Sequence, residues 1–270
     1  MAETWETYER PRPVQEPARI VANEHLDGRL YLMTLSAPRI AGAVRPGQFV
    51  HLRVPGMANH ILRRPFGVYD RDVQEGTIDV LYQVVGHGTK HMTGLAAGET
   101  CDLLGPLGRG WMQFDGVQRA LVVAGGAGAA PLYLFAQQLV DAGAAVDVVL
   151  GAQTKGGLVM RQRFADLLGT EPACSTDDGT YGTEGFATVP AEQLLAANRY
   201  DAVYCCGPEP LMRAVARLAA EAGVACQVSL EKRMACGIGA CLSCIVETTE
   251  GRKRSCVDGP VFPAEKVVWQ

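Results

Sequence analysis

"RALVVAGGAGAAPLYLFAQQLVDAG", residues 119–143, is an apolar run, a glycine turn and then apolar residues at helical spacing. A strand with no polar alternation is covered on both faces, which is the situation of a strand in a parallel sheet. The pattern continues downstream. "AAVDVVLGAQ" (144–153) predicts a second buried strand, and "MRQRFADLLG" (160–169) a helix. "STDDGTYGTEGFAT" (175–188) reads as a loop, "PAEQLLAAN" (190–198) as a helix and "YDAVYCCG" (200–207) as a strand. "PEPLMRAVARLAAEAG" (208–223) predicts another helix. Strand and helix in alternation imply a doubly wound α/β domain.

Upstream the text changes character. "ARIVANEHL", "RLYLMTLSAP", "QFVHLRVPG", "FGVYDR" and "TIDVLYQVVG" are short β-branched or aromatic runs separated by Gly, Pro, Asn and Asp. Closely spaced strands without long helices between them predict an antiparallel Greek-key barrel. The fold class expected is therefore α+β multidomain: a barrel, a doubly wound sheet and a small C-terminal unit. The divisions fall at 1–15 (a flexible charged, proline-rich lead-in), 16–115, 116–225 and 226–270.

Composition narrows the function classes. A net charge of −4 with a pI of about 5.8 leaves no basic footprint for nucleic acid. No apolar run reaches the length of a membrane helix, and the first 20 residues have no signal-peptide h-region. A cytoplasmic protein is expected, and in a reducing compartment clustered thiols serve as metal ligands or redox groups more often than as disulfides.

Four of the nine cysteines lie in "EKRMACGIGACLSCIVETTEGRKRSCVDGP" (231–260), as C-x4-C-x2-C-x11-C: Cys236, Cys241, Cys244 and Cys256. Soft anionic thiolates hold iron or zinc, and glycines between them free the backbone to bend around a cluster. The spacing is that of a plant-type [2Fe–2S] site, with "ETTEGRKR" as a hairpin excursion. Zinc and unligated thiols are the alternatives, although zinc more commonly uses paired C-x2-C knuckles.

Two glycine turns follow predicted parallel strands: "VVAGGAGAAPL" with Gly125, Gly126 and Gly128, and "CCGPEPLM" with Cys206, Gly207 and Pro208. Such turns let a phosphate approach backbone N–H groups, or serve close packing alone; two at the carboxyl ends of parallel strands favour a dinucleotide. In the barrel, Arg63 and Arg64 of "RRPFGVYD" suit a pyrophosphate clamp or a solvated basic pair. Tyr69 or Tyr82 suits the face of a flavin or adenine, and Cys206 a place facing nicotinamide. Cys101, Cys174, Cys205 and Cys226 read as packing thiols, and the histidines show no ligand spacing. Lys155, Arg161 and Arg163 suit either an NADP 2′-phosphate or a solvated helix face.

Taken in order, "RRPFGV", "GGAGAAPL", "CGPEPLM" and "LEKRMACGIGACLSC…C" resemble the electron-transfer subunits of B-class dihydroorotate dehydrogenases, members of the ferredoxin–NADP reductase-like flavoproteins. The resemblance spans roughly 16–265, and its most specific part is the cysteine segment. It implies FAD on the barrel, with Arg64, Pro65, Phe66 and Gly67 as the first flavin stretch and Arg64 toward the pyrophosphate. Leu81, Tyr82 and Gln83 fall on the second stretch, and Gly88 and Thr89 on the third. It places NAD beside Gly125, Gly126, Gly128, Cys206, Gly207 and Pro208, with Asp178 and Gly179 nearby. Cys236, Cys241, Cys244 and Cys256 become cluster ligands. Where the family often has Ser or Thr, this chain has Gly67.

The implied parts make a wire. A nicotinamide carries electrons in pairs and an iron–sulfur cluster one at a time, so a flavin between them converts one to the other. The implied partner is an FMN-containing catalytic subunit oxidising dihydroorotate in pyrimidine (UMP) synthesis, in a complex of two plus two. Equivalent subunits of hydrogenases, sulfide dehydrogenases or bifurcating oxidoreductases are the first alternative. A zinc-stabilised nucleotide-binding regulator without redox activity is the second. No acid–base residue is required by the hydride step.

Overall fold

The computed structural model describes residues 7–57 and 59–269. Six strands close the N-terminal barrel: β1 (Val14–Asp27), β2 (Leu30–Ser36), β3 (Phe49–Arg53), β4 (Arg64–Asp72), β5 (Thr77–Gln83) and β6 (Thr100–Leu107). Their order around the barrel is β1-β2-β5-β4-β3-β6, every pairing antiparallel, which is the expected Greek-key arrangement. Alternate residues point inward, so Ile20, Met33, Leu35, Leu52, Ile78 and Val80 fill the interior with no exposed area. Two short helices cap the barrel: α1 (Pro38–Ala43), which the sequence reading did not separate out, and α2 (His87–Met92), which starts at "GHGTK" (86–90), a stretch whose glycines suit a helix start.

The lead-in is less free than expected. Residues 1–6 lie outside the described part, but Tyr8 is buried, its hydroxyl accepts the Gly110 N–H at 3.0 Å, and Arg45 lies 5.2 Å over its ring. An aromatic ring that fills a socket between two arginine-bearing loops gains both area burial and cation–π attraction, which anchors this end of the chain.

The second layer is built from β7 (Arg119–Gly125), α3 (Ala130–Asp141), β8 (Ala145–Ala152), α4 (Arg161–Leu168), β9 (Ala173–Thr176), β10 (Thr183–Glu184), α5 (Thr188–Ala197), β11 (Ala202–Cys206), α6 (Glu209–Glu221) and β12 (Ala225–Ser229). Short strands β9 and β10 therefore flank the tight turn in the segment read as a loop. Sheet order is β10-β9-β8-β7-β11-β12, all parallel. Along β7, Val122 and Ala124 pack with Leu132 and Phe135 of α3 and Phe164 of α4. Leu121 and Val123 pack on the opposite face with Ala191 of α5 and Met212 and Val215 of α6. Helices on both faces are what the unbroken apolar run of β7 required.

The C-terminal segment leaves the sheet after β12, makes the hairpin β13 (Ile245–Thr248) and β14 (Gly251–Arg254), then the turn of helix α7 (Ser255–Asp258). It returns as β15 (Val261–Pro263), antiparallel to β12 at the sheet edge. The expected division at 225/226 thus falls where β12 begins, and the sheet pairing carries that strand with the α/β layer. Among the described residues no helix is long and apolar enough to cross a membrane.

Candidate functional site

Arg64 opens β4, and Pro65, Phe66 and Gly67 follow it along the strand, paired with His51, Val50 and Phe49 of β3. The two arginines do not act together. Arg63 is held in an ion pair with Asp102 at 2.5 Å and donates to the Asp102 carbonyl at 2.9 Å. Among the described residues Arg64 donates to the Leu62 backbone carbonyl, and it lies across the start of α2. A Cβ on Gly88 would sit 2.5 Å from Arg64 Nε, so glycine there makes room for the guanidinium. Of the two arginines weighed as a clamp or a solvated pair, Arg63 is neutralised by a carboxylate far along the chain, which sets it apart from Arg64.

Further residues of the expected flavin stretches turn inward. Tyr82 is buried, donates from its phenol to Asn23 Oδ1 at 3.0 Å and stacks on Tyr31. Tyr69 is buried beneath the Arg163 guanidinium, 5.1 Å above its ring. Neither ring offers a free face, which corrects the reading of either as a flavin platform. Leu81 is likewise interior, leaving Gln83 exposed. Thr89 is structural at its hydroxyl: Oγ1 accepts the Val85 and Gly86 N–H groups at 3.0 and 3.1 Å and donates to the Gly86 carbonyl. The site missing a hydroxyl, Gly67, faces Pro131 of α3, whose Cβ would be 3.4 Å from an added Cβ.

At the carboxyl ends of β7 and β11 the two glycine turns are pressed together. A Cβ on Gly128 would lie 2.5 Å from the Cys206 carbonyl oxygen, and one on Gly125 would lie 3.0 Å from Pro208 Cδ. Gly207, at φ +156°, approaches the Gly125 backbone N to within 3.0 Å of its own missing Cβ. Close packing thus accounts for three of these glycines, while Gly126, at φ +54° and exposed, has nothing within 4 Å. The chain runs from β7 through β8 to β9 on one side and resumes with β11 on the other, so the turns sit at the topological switch point, where a nucleotide binds such a sheet.

Cys206 does not face that crevice. Its thiol is buried, points toward the Ser229 carbonyl at 3.8 Å, and is pushed up strongly by burial, which corrects its reading as a nicotinamide neighbour. Asp178 and Gly179 lie exposed on the same carboxyl edge, where Asp178 accepts from Thr180 N–H and Oγ1 and Thr180 Oγ1 accepts the Lys155 N–H at 2.9 Å. Of the three cations weighed for a 2′-phosphate, Arg161 is paired with Glu171 at 2.6 Å and Arg163 covers Tyr69. That leaves Lys155, whose ammonium lies 5.7 Å over Tyr181.

The cysteines come as two pairs. The Cys241 N–H points to Cys236 Sγ at 3.4 Å, and the Cys256 N–H to Cys244 Sγ at 3.5 Å. Gly237 and Gly239 take φ +72° and +85°, as the loop's bending requires. Cys244 and Cys256 are buried against Phe49 of β3, while Cys236 is half-buried and Cys241 exposed. Hydrogen bonds to Ser243, from side chain and then backbone, bring the Cys241 thiol down to about 6, and burial pushes Cys256 up to about 12. Among the described residues no three His, Cys, Asp or Glu side chains close on one ion. A structural zinc site needs four ligands on one ion, whereas two irons each take two thiolates. The donor set, its pairing and the amides aimed at sulfur fit a [2Fe–2S] cluster.

Sequence reading missed the floor of this loop. His51 on β3 is fully buried, both its ring nitrogens have no partner among the described residues, and a Cβ on Gly237 would be 2.7 Å from its Nδ1. Burial, reinforced by the Arg63 charge, lowers its imidazole to about 4, so the ring is neutral. No local spacing could signal a contact between chain segments so far apart.

The comparisons with known proteins agree with this geometry. The oxidoreductase FAD-binding domain family matches residues 19–111 and the oxidoreductase NAD-binding domain family residues 122–217. The iron-sulfur cluster binding domain of dihydroorotate dehydrogenase B matches residues 231–268. The chain is 36% identical to the electron transfer subunit of dihydroorotate dehydrogenase B (NAD(+)) of Desulforamulus reducens, over 94% of this chain and 98% of that one. It is 38% identical to the same subunit of Bacillus caldolyticus, again over 94% and 98%. A chain of the NADH-dependent reduced ferredoxin–NADP oxidoreductase superposes with a TM-score of 0.85 at 32% identity, covering 93% of this chain and 90% of that one. A ferredoxin NADP+ reductase from Neisseria gonorrhoeae shares the fold, with a TM-score of 0.65 at 17% identity over 77% and 92%.

Proposed function

The chain belongs to the family of dihydroorotate dehydrogenase B electron transfer subunits, and from that premise we propose the division of labour among its residues and the partner it serves. It is an oxidoreductase subunit that passes electrons between NAD(H), FAD and a [2Fe–2S] cluster, in service of a catalytic dihydroorotate dehydrogenase subunit in pyrimidine biosynthesis. The proposal adds that the partner carries FMN, that the complex is two plus two, and that it works in the cytoplasm. The barrel (16–115), the α/β layer (116–225, with β12) and the remaining C-terminal segment are its FAD, NAD and cluster domains.

When bound, FAD exchanges a hydride with nicotinamide and single electrons with the cluster. Arg64 holds the pyrophosphate by charge-assisted hydrogen bonds, with Gly88 leaving room for its guanidinium. Pro65, Phe66, Gly67 and the backbone of Leu81, Tyr82 and Gln83 line the flavin, with Thr89 fixing the α2 turn by its cap. Gly125, Gly128, Cys206, Gly207 and Pro208 shape the nucleotide crevice by packing, and Gly126 offers open backbone to a phosphate. Asp178 and Gly179 border the same site. Cys236 with Cys241, and Cys244 with Cys256, ligate the two irons.

The observation that carries this reading is the position of β3. It pairs with the arginine-bearing strand β4 on one side and packs against the cysteine loop through Phe49 and His51 on another. One strand thus separates the flavin stretch from the thiols, a short route for an electron.

The test begins with the visible spectrum of anaerobically purified protein before and after NADH. Flavin and cluster bands that both bleach support the wire; a colourless protein with zinc bound overturns it. Adding an FMN-containing dihydroorotate dehydrogenase subunit should then give dihydroorotate-dependent reduction of NAD+. A second reading, service to a bifurcating oxidoreductase, is favoured by the close superposition on the NADH-dependent reduced ferredoxin–NADP oxidoreductase chain. Co-purification of the native complex separates the two.

A further inference from the structure

Buried polar groups in folded proteins are nearly always hydrogen-bonded, and an imidazole with neither nitrogen satisfied points to a missing acceptor or donor. His51 is such a ring. It has no exposed area, and among the described residues both Nδ1 and Nε2 lack partners. Arg63 does not supply one, since its guanidinium reaches the His51 backbone carbonyl at 3.5 Å and is otherwise engaged by Asp102. Phe49 stands 5.7 Å away, edge to face. The cysteine loop touches the ring at Gly237, the residue after Cys236.

We propose that His51 donates its N–H to a sulfur of the iron–sulfur cluster at the Cys236 end of the loop, and that this bond raises the cluster's reduction potential. The proposal rests on the cluster assignment above. Gly237 is what permits the approach, because a Cβ there would meet the imidazole at 2.7–2.8 Å. Reduction adds negative charge to the cluster sulfurs, so a fixed N–H donor stabilises the reduced form more than the oxidised one, and hydrogen bonds to sulfur are among the determinants of cluster potential. His51 also pairs through its backbone with Pro65 of the flavin stretch. The residue therefore joins the strand under the flavin to the loop around the irons.

The experiment is potentiometric titration of the full-length, FAD-loaded protein with the reduced cluster read by electron paramagnetic resonance. His51→Phe fills the space without a donor, and His51→Gln keeps an N–H. We expect His51→Phe to retain iron, sulfide and FAD yet become about tenfold harder to reduce at fixed potential, a fall of about 59 mV for one electron. His51→Gln should recover most of that shift. In wild-type protein labelled with ¹⁵N-histidine, pulsed measurements on the reduced cluster should show a nitrogen coupling that His51→Phe removes. An unchanged potential in His51→Phe, or no ¹⁵N coupling in the wild type, overturns the proposal and leaves His51 as packing. Should His51→Phe lose the cluster, the wild-type ¹⁵N measurement decides alone. Wild-type protein lacking iron overturns the cluster assignment itself, a failure that metal analysis distinguishes from the first.

Discussion

Gly128 lies against Cys206 so closely that a Cβ added to Gly128 would stand 2.5 Å from the Cys206 carbonyl oxygen. The contact presses the turn after β7 against the end of β11 at the switch point. Gly128→Ala forces these two strand ends apart. Overpacking of this kind costs about 1–3 kcal/mol. The expected outcome is a melting temperature lowered by about 2–4 °C for each kcal/mol, with a raised KM for NADH, read by calorimetry and by NADH–ferricyanide assay.

Arg64 should govern FAD retention. Among the described residues its guanidinium has a backbone carbonyl partner and no carboxylate, whereas Arg63 is neutralised by Asp102. Hydrogen bonds to charged groups contribute about 1.5–3 kcal/mol, so Arg64→Ala should weaken FAD binding roughly 10- to 100-fold. Titration of apo-protein with FAD, followed by flavin fluorescence, checks the value. Equal losses in Arg63→Ala would mean that the two arginines act as one clamp after all.

Cys241→Ser should separate the two halves of the wire. Cys241 is exposed and pairs with Cys236, so its loss removes a thiolate from one iron while Cys244 and Cys256 stay buried beside Phe49. The variant should lose cluster iron yet still show bleaching of FAD by NADH. Loss of both reactions would place the cluster between nicotinamide and flavin and reverse the order of carriers.

Asp201 should make the α/β layer acid-sensitive. Its Oδ2 accepts the Arg119 and Gln118 N–H groups, both at 2.9 Å, and these bonds hold its carboxyl below the usual carboxylate range. A group whose folded value is depressed stabilises above its unfolded value, about 3.9, and loses that contribution as pH falls through the folded value. Asp201→Ala should therefore melt at a lower temperature than wild type above about pH 5, with the difference vanishing in stronger acid. A difference that persists at low pH would assign the effect to packing.

Gly67→Ser tests the flavin face. An added Cβ meets Pro131 Cβ at 3.4 Å, the edge of ordinary contact, so the variant should fold and bind FAD with nearly unchanged affinity. A hydroxyl at this place should shift the flavin potential, measured by spectroelectrochemistry. A variant that loses FAD would show that Gly67 is needed to let α3 approach the barrel.

Much of this architecture was legible locally. The apolar run of 120–124 demanded cover on both faces and received α3 and α4 on one, α5 and α6 on the other. The "ETTEGRKR" hairpin formed as β13 and β14, with Thr248 opposite Gly251 across a two-residue turn at Thr249 and Glu250. What was not legible was the fate of individual side chains. Arg63 and Arg64 are identical neighbours in sequence, and only Asp102, on β6, tells them apart. Thr89 falls on the third flavin stretch that the resemblance implies, but α2 uses its hydroxyl as a cap. Cys206 sits beside a functional turn, yet the strand's alternation aims its thiol at Ser229 of β12.

The sequence by itself determined the order of the three cofactor regions and the chemistry of each. Those properties reside in short contiguous motifs, where backbone freedom at glycine and thiolate softness act over a few residues. The tertiary structure decided which groups meet. It resolved four cysteines into two pairs, pressed two glycine turns into one crevice, and laid β3 between the flavin stretch and the cysteine loop with His51 beneath Gly237. Such meetings depend on packing between segments far apart along the chain, and burial changes what each group can do once it arrives.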